Sequence, residues 1–118
     1  MGKKDHFKAL FESIDRQDLD TFLDHLSGDV IFRFGNAEPV SGKAAVGDVV
    51  HGFFSSIKAL RHEITESWDM ANSVTCHGMV TYTRHDSSTL TIPFANIFRV
   101  DGGLISEYLI FADVSGLY

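Results

Sequence analysis

The second half of the chain limits the fold more than any other feature. Four runs of β-forming residues follow one another: "LRHEITESWDM", "SVTCHGMVTYTRHD", "STLTIPFANIFRV" and "LISEYLIFADV". Short turn signals divide them, namely Asn72-Ser73, Asp86-Ser87-Ser88 and Asp101-Gly102-Gly103. Turns this short join neighbouring antiparallel strands. The C-terminal half is therefore expected to be a meander.

The N-terminal half has a different period. In "KKDHFKALFESIDRQD", Phe7, Leu10, Phe11 and Ile14 fall at i, i+3, i+4 and i+7, which is one stripe of a helix. Asp5 is the expected N-cap. "DLDTFLDHLSGD" repeats the stripe with Leu19, Phe22, Leu23 and Leu26; Asp18 can cap its start and Gly28 can close it. "DVIFRFGN" then reads as a strand ending at Gly35-Asn36. "AEPVSGKAAV" reads as a loop into a third helix over "KAAVGDVVHGFFSSIKAL", with Ser41 or Gly42 near its cap.

The element order is thus ααβαββββ. Helices grouped before strands imply an α+β domain, three helices packed on one face of a curved, mainly antiparallel sheet. At 118 residues the chain is expected to form one domain over 1–118. The last two strands are apolar on both faces: Leu90, Ile92, Phe94 and Phe98 on one, Ala95 and Ile97 on the other. A homodimer through the outer sheet face would cover the second.

Composition removes several classes of function. The net charge is −6 and the only basic cluster is Lys3-Lys4, so no footing exists for nucleic acid or an anionic membrane. One cysteine, Cys76, forbids an internal disulfide. Six His without C-x-x-C or H-E-x-x-H leave no familiar zinc framework, so no metal or other cofactor is expected. No apolar run reaches the about 18 residues of a membrane span, and no export signal opens the chain. A cytoplasmic protein is the expectation.

Four stretches carry a family resemblance: "FKALFESIDRQDLDTFLDHLSGDVIFRF", "GNAEPVSGKAAV", "HGMVTYTRHD…LTIPFANIFRVDGGLISEY" and "LIFADVSGLY". Together they resemble the SnoaL-like branch of the nuclear-transport-factor-2-like superfamily over nearly the whole chain. The resemblance implies a cone-shaped half-barrel, usually dimeric, whose helices and concave sheet enclose a pocket. It implies no one reaction, because that superfamily spans isomerases, epoxide hydrolases, polyketide cyclases and proteins without catalysis.

Its epoxide hydrolases place an Arg-x-Asp pair on one strand opposite a second Asp on the final strand. Arg84 and Asp86 match the pair, and alternation along a strand puts Tyr82, Arg84 and Asp86 on one face. The second Asp falls at Ile110, and Asp113 matches only a trailing acid. Ketosteroid isomerases place a Tyr on the first helix and an Asp after the second, where this chain has Phe7, Phe11, Phe32 and Phe34.

Two functions follow as expectations. One is an internal pocket for a small apolar or aromatic molecule, lined by Tyr82, Asn96, Tyr108, Ile110, Phe32, Phe34, Phe94 and His62. Asn96 draws notice because a buried amide in an apolar strand needs a partner. Tyr108 shares a face with Ile110, and His62 shares one with Leu60, Ile64 and Trp68. The other is an acid/base enzyme of cyclase, isomerase or hydrolase type, with Asp86 as base and Arg84 stabilising charge. The residues leave open whether the protein is an enzyme.

Overall fold

The computed structural model describes residues 3–118, with side chains from Phe7 onward. The elements are α1 (Lys3–Asp15), α2 (Leu19–Asp24), β1 (Leu26–Phe34), β2 (Val40–Ser41), α3 (Lys43–Ser56), β3 (Ala59–Asp69), β4 (Ser73–Thr83), β5 (Thr89–Asp101) and β6 (Leu104–Phe111). The chain is α+β, with three helices on a six-stranded mixed sheet that does not close. Strand order is β2-β1-β6-β5-β4-β3. The β3–β6 meander is antiparallel throughout, and β6 also pairs parallel with β1.

The helical stripe of α1 does what its spacing requires. Phe7, Leu10, Phe11 and Ile14 are all buried, and Phe7 and Phe11 meet Phe98 at ring centroid distances of 4.6 and 6.1 Å. Burying a side chain of this size stabilises by roughly 1.5–3 kcal/mol. Gln17 breaks the helix with φ +55, and its amide donates to the Phe54 carbonyl at 3.2 Å. Asp18 then caps α2, accepting from Thr21 N at 3.2 Å.

Several boundaries differ from the sequence expectation, each for a visible reason. α1 already includes Lys3, so Asp5 lies within the helix instead of capping it; its side chain lies outside the described residues. α2 stops at Asp24 and Gly28 belongs to β1, because Leu26 pairs with Ile105 and draws the chain into the sheet. Within the expected loop, Val40 and Ser41 pair with Phe32 and Ile31 as the short edge strand β2. α3 begins at the N-cap Gly42 and ends at Ser56, since Ala59 and Leu60 already pair with β4.

Two irregularities shape the sheet. The register of β3 on β4 slips between Ile64 and Glu66, which moves Trp68 to the outer face, stacked on His77 with centroids 5.6 Å apart. Trp68 therefore does not share the inner face with Leu60 and His62. The bulge requires Gly78: a Cβ there would meet the Glu63 carbonyl oxygen, 1.9 Å from its position. The second irregularity is where β4 ends. It stops at Thr83, so "RHD" forms the start of the hairpin turn.

Candidate functional site

The inner face of the sheet and the three helices line an apolar cavity of about 50 Å³, and a wider cleft of about 400 Å³ lies beside it between α1 and β3–β4, with Asp15 and His62 in its wall. β1 contributes Phe32 and Phe34, because alternate residues of that strand point at the helices. β3 and β4 contribute Leu60, His62, Val80 and Tyr82; β5 and β6 contribute Phe94, Asn96, Tyr108 and Ile110. Ile14, Phe22, Val49, Val50, Phe53 and Phe54 complete the wall from the helices. All eight residues named from the sequence as lining candidates thus lie around one space. The volume corresponds to a few waters, well below the roughly 300 Å³ of a drug-sized site.

Polar groups in this wall are few. Tyr108 is 2% exposed, and burial first, with nearby Cys76 and Tyr82 adding to it, holds its phenol far above the ordinary tyrosine range. Burial, and then Tyr118, pushes Tyr82 up to about 12. Both phenols therefore keep their protons at any physiological pH. Asn96 is 2% exposed and its Oδ1 accepts no hydrogen bond.

His62 in the wall is oriented by α1. Its Nδ1 lies 2.7 Å from Asp15 Oδ1, and its backbone N–H donates to Asp15 Oδ2 at 3.0 Å. A carboxylate only accepts, so Nδ1 is the donor in this contact. Phe11 and Phe94 pack against the imidazole at 5.0 and 5.2 Å. Asp15 was missed in the sequence. Only its place as the last residue of the apolar stripe's helix, one step past Ile14, marks it as facing the sheet.

Arg84 and Asp86 stand elsewhere, which corrects the expected placement. Neither lines the cavity. Arg84 Nε donates to the Leu117 carbonyl at 2.7 Å and Nη2 to that of Gly116 at 2.8 Å. Nη1 donates to Ser88 Oγ at 3.1 Å and the Thr89 carbonyl at 3.3 Å. Asp86 is exposed and accepts from Ser88 N and Oγ at 2.9 and 2.6 Å. Those bonds hold its carboxyl below the usual carboxylate range. The strand alternation assumed for the pair fails because β4 has already ended.

His85 is exposed, with Nε2 2.9 Å from the Ser55 carbonyl oxygen. Asp113, the trailing acid, is exposed and accepts from Ser115 N at 3.0 Å. Cys76 is buried, and desolvation pushes its thiol up to about 11. Among the described residues, no three His, Cys, Asp or Glu side chains gather as a metal site would require. No helix among them is long and apolar enough to cross a membrane.

The sequence model of the SnoaL-like domain matches residues 7–108. The chain belongs to the SnoaL-like domain family. Solved structures agree on the fold. An NTF2-like protein of unknown function from Burkholderia pseudomallei superposes with a TM-score of 0.89 at 17% identity, covering 99% of this chain and 95% of that one. A putative polyketide cyclase from Xanthomonas campestris gives 0.79 at 19%, covering 94% and 90%. An LEH-like epoxide hydrolase from Mycobacterium tuberculosis gives 0.80 at 15%, covering 92% and 80%. No curated protein sequence matches the chain. At such identities this SnoaL-like domain shares an architecture with these proteins, and its chemistry must be argued from its own residues.

Proposed function

We propose that this SnoaL-like protein binds a small, largely apolar molecule in the cavity between its helices and sheet. The observation that supports this most is the wall itself: Phe, Val, Leu and Ile side chains surround a space that holds two protonated phenols and no fixed charge. Such a site selects neutral ligands through shape and a few directed hydrogen bonds. Titration of the protein with toluene and with phenol, followed by backbone amide NMR, tests the reading. Shifts should centre on β4, β5 and α3. The Val80→Leu variant, which fills part of the space, should weaken binding of both probes. If neither probe shifts those amides, the reading fails.

The Asp15–His62 contact favours a second reading, acid/base catalysis on the bound molecule. In it His62 Nε2 takes or gives the proton, and Asp15 is a positioning residue that fixes the ring. This replaces Asp86 and Arg84 as the acid/base pair. Nitrogen-15 NMR of the imidazole checks its premise: the wild type should show the Nδ1–H tautomer, and Asp15→Asn should lose that preference. An Nε2–H tautomer in the wild type would remove His62 as the base.

We also propose that a second copy covers the outer sheet face. Trp68, Met79 and Phe111 are exposed there at 44, 39 and 54%. Cross-strand pairing joins Met79 to Pro93, and Phe111 to Ala95 and on to His77. Trp68 stacks on His77, so these residues cluster on that face around the imidazole. Light scattering should report a dimer that Phe111→Glu converts to a monomer. The cytoplasm is the compartment we assign, since the buried Cys76 thiol has no need of an oxidising one.

A further inference from the structure

The cavity reading is the premise here, and the next question is what chemical group the bound molecule must carry. Asn96 sits in the middle of β5, opposite Cys76 on β4 and Ile110 on β6. Neither neighbour is a strong hydrogen-bond donor. Among the described residues, Asn96 Oδ1 is the buried side-chain oxygen left without a partner. A leucine of similar size would leave nothing unpaired at that position, so the amide lowers the stability of the empty fold.

The rest of the wall narrows the class further. No Lys, Arg, Asp or Glu lines the cavity, so a charged ligand would be desolvated without a counter-ion. The volume of about 50 Å³ restricts the ligand to a small molecule. Phe32, Phe94, Tyr82 and Tyr108 supply aromatic faces and edges around it. We propose that the ligand is a neutral single-ring molecule bearing one O–H or N–H donor, a phenol or cyclic alcohol, whose donor satisfies Asn96 Oδ1.

Phenol and toluene have nearly the same shape and differ in that donor. Their dissociation constants are measured by NMR titration of the full chain, in the wild type and in Asn96→Leu. The phenol-to-toluene affinity ratio should fall about tenfold in the variant, the loss of one neutral hydrogen bond. In the wild type, phenol should also shift the Asn96 side-chain amide resonances, and toluene should leave them in place. An unchanged ratio, or equal shifts from both probes, overturns the assignment while leaving the cavity reading intact. Binding of neither probe overturns the cavity reading itself. Should Asn96→Leu fail to fold, Asn96→Ala and the wild-type amide shifts decide the matter in the same terms.

Discussion

Two polar regions of this molecule invite comparison: the Arg84–Asp86 hairpin end, and the cavity residues His62 and Asn96 together with Asp15, which holds His62. The first is contiguous in sequence, charged and conspicuous. Yet its bonds stay within the fold, with every guanidinium nitrogen of Arg84 spent on Gly116, Leu117, Ser88 or Thr89. The second is assembled from α1, β3 and β5, and no two of its members are neighbours in the chain. It keeps a buried oxygen without a partner. Groups that build a fold have their bonds satisfied internally; groups reserved for a ligand keep some bonding capacity open.

Substitution should separate the two by readout. Arg84→Ala carries the largest expected effect, because it frees the segment that seats the buried Leu117. Losing charge-assisted bonds to carbonyls costs on the order of 2 kcal/mol, roughly a 10 °C lower thermal midpoint. Hydrogen exchange at the Leu117 amide, bonded to Val114 at 3.0 Å, should accelerate with it. Affinity for toluene should stay within about twofold per unit of unfolding-corrected protein. A variant that kept its midpoint but lost the probe would turn the comparison around.

Asn96→Leu should move stability the opposite way. Removing an unpaired buried amide raises it by about 1–2 kcal/mol, read from denaturant midpoints at unchanged m-value. A fall of that size would mean that Asn96 has a partner after all. Stabilisation together with lost phenol discrimination is the pattern of a residue held for a ligand at the expense of the fold.

Asp15→Asn should cost less, about 1 kcal/mol, since the backbone N–H of His62 keeps an acceptor. Its main effect should be on the imidazole tautomer. No loosening of the ring would reduce Asp15 to a helix-end tether.

Period carried most of what the sequence revealed. Helical stripes placed α1 and α2, and alternation in β4, β5 and β6 placed Tyr82, Phe94, Asn96, Tyr108 and Ile110 around one cavity. Alternation holds only while the strand lasts. It misplaced Arg84 and Asp86 because β4 ends at Thr83, and Trp68 because a bulge flips the face beyond Ile64. Both failures are local breaks in register that composition does not announce, although Gly78 marks the bulge in retrospect. Asp15 escaped because its partner lies forty-seven residues away on another element, and a helix-end carboxylate reads as a solvated residue until the sheet is in place.

The smallest expected effect belongs to Asp86→Asn, and it is the sharpest test of the comparison. Its Oδ1 accepts from Ser88, and an asparagine oxygen can accept the same bonds. What changes is the charge. The carboxyl is held below its ordinary value of 3.8 first by the Ser88 hydroxyl, then by the Ser88 backbone N–H. A lowered folded-state pKa contributes stability that is present above the unfolded value and lost as pH falls through the folded one. The midpoint difference between wild type and variant should therefore be small at pH 7 and fade below pH 3.8. Probe affinity should not change at either pH. A more than twofold change in phenol or toluene binding at pH 7, with the midpoint intact, would return Asp86 to the site and undo the distinction between a satisfied hairpin and an open cavity.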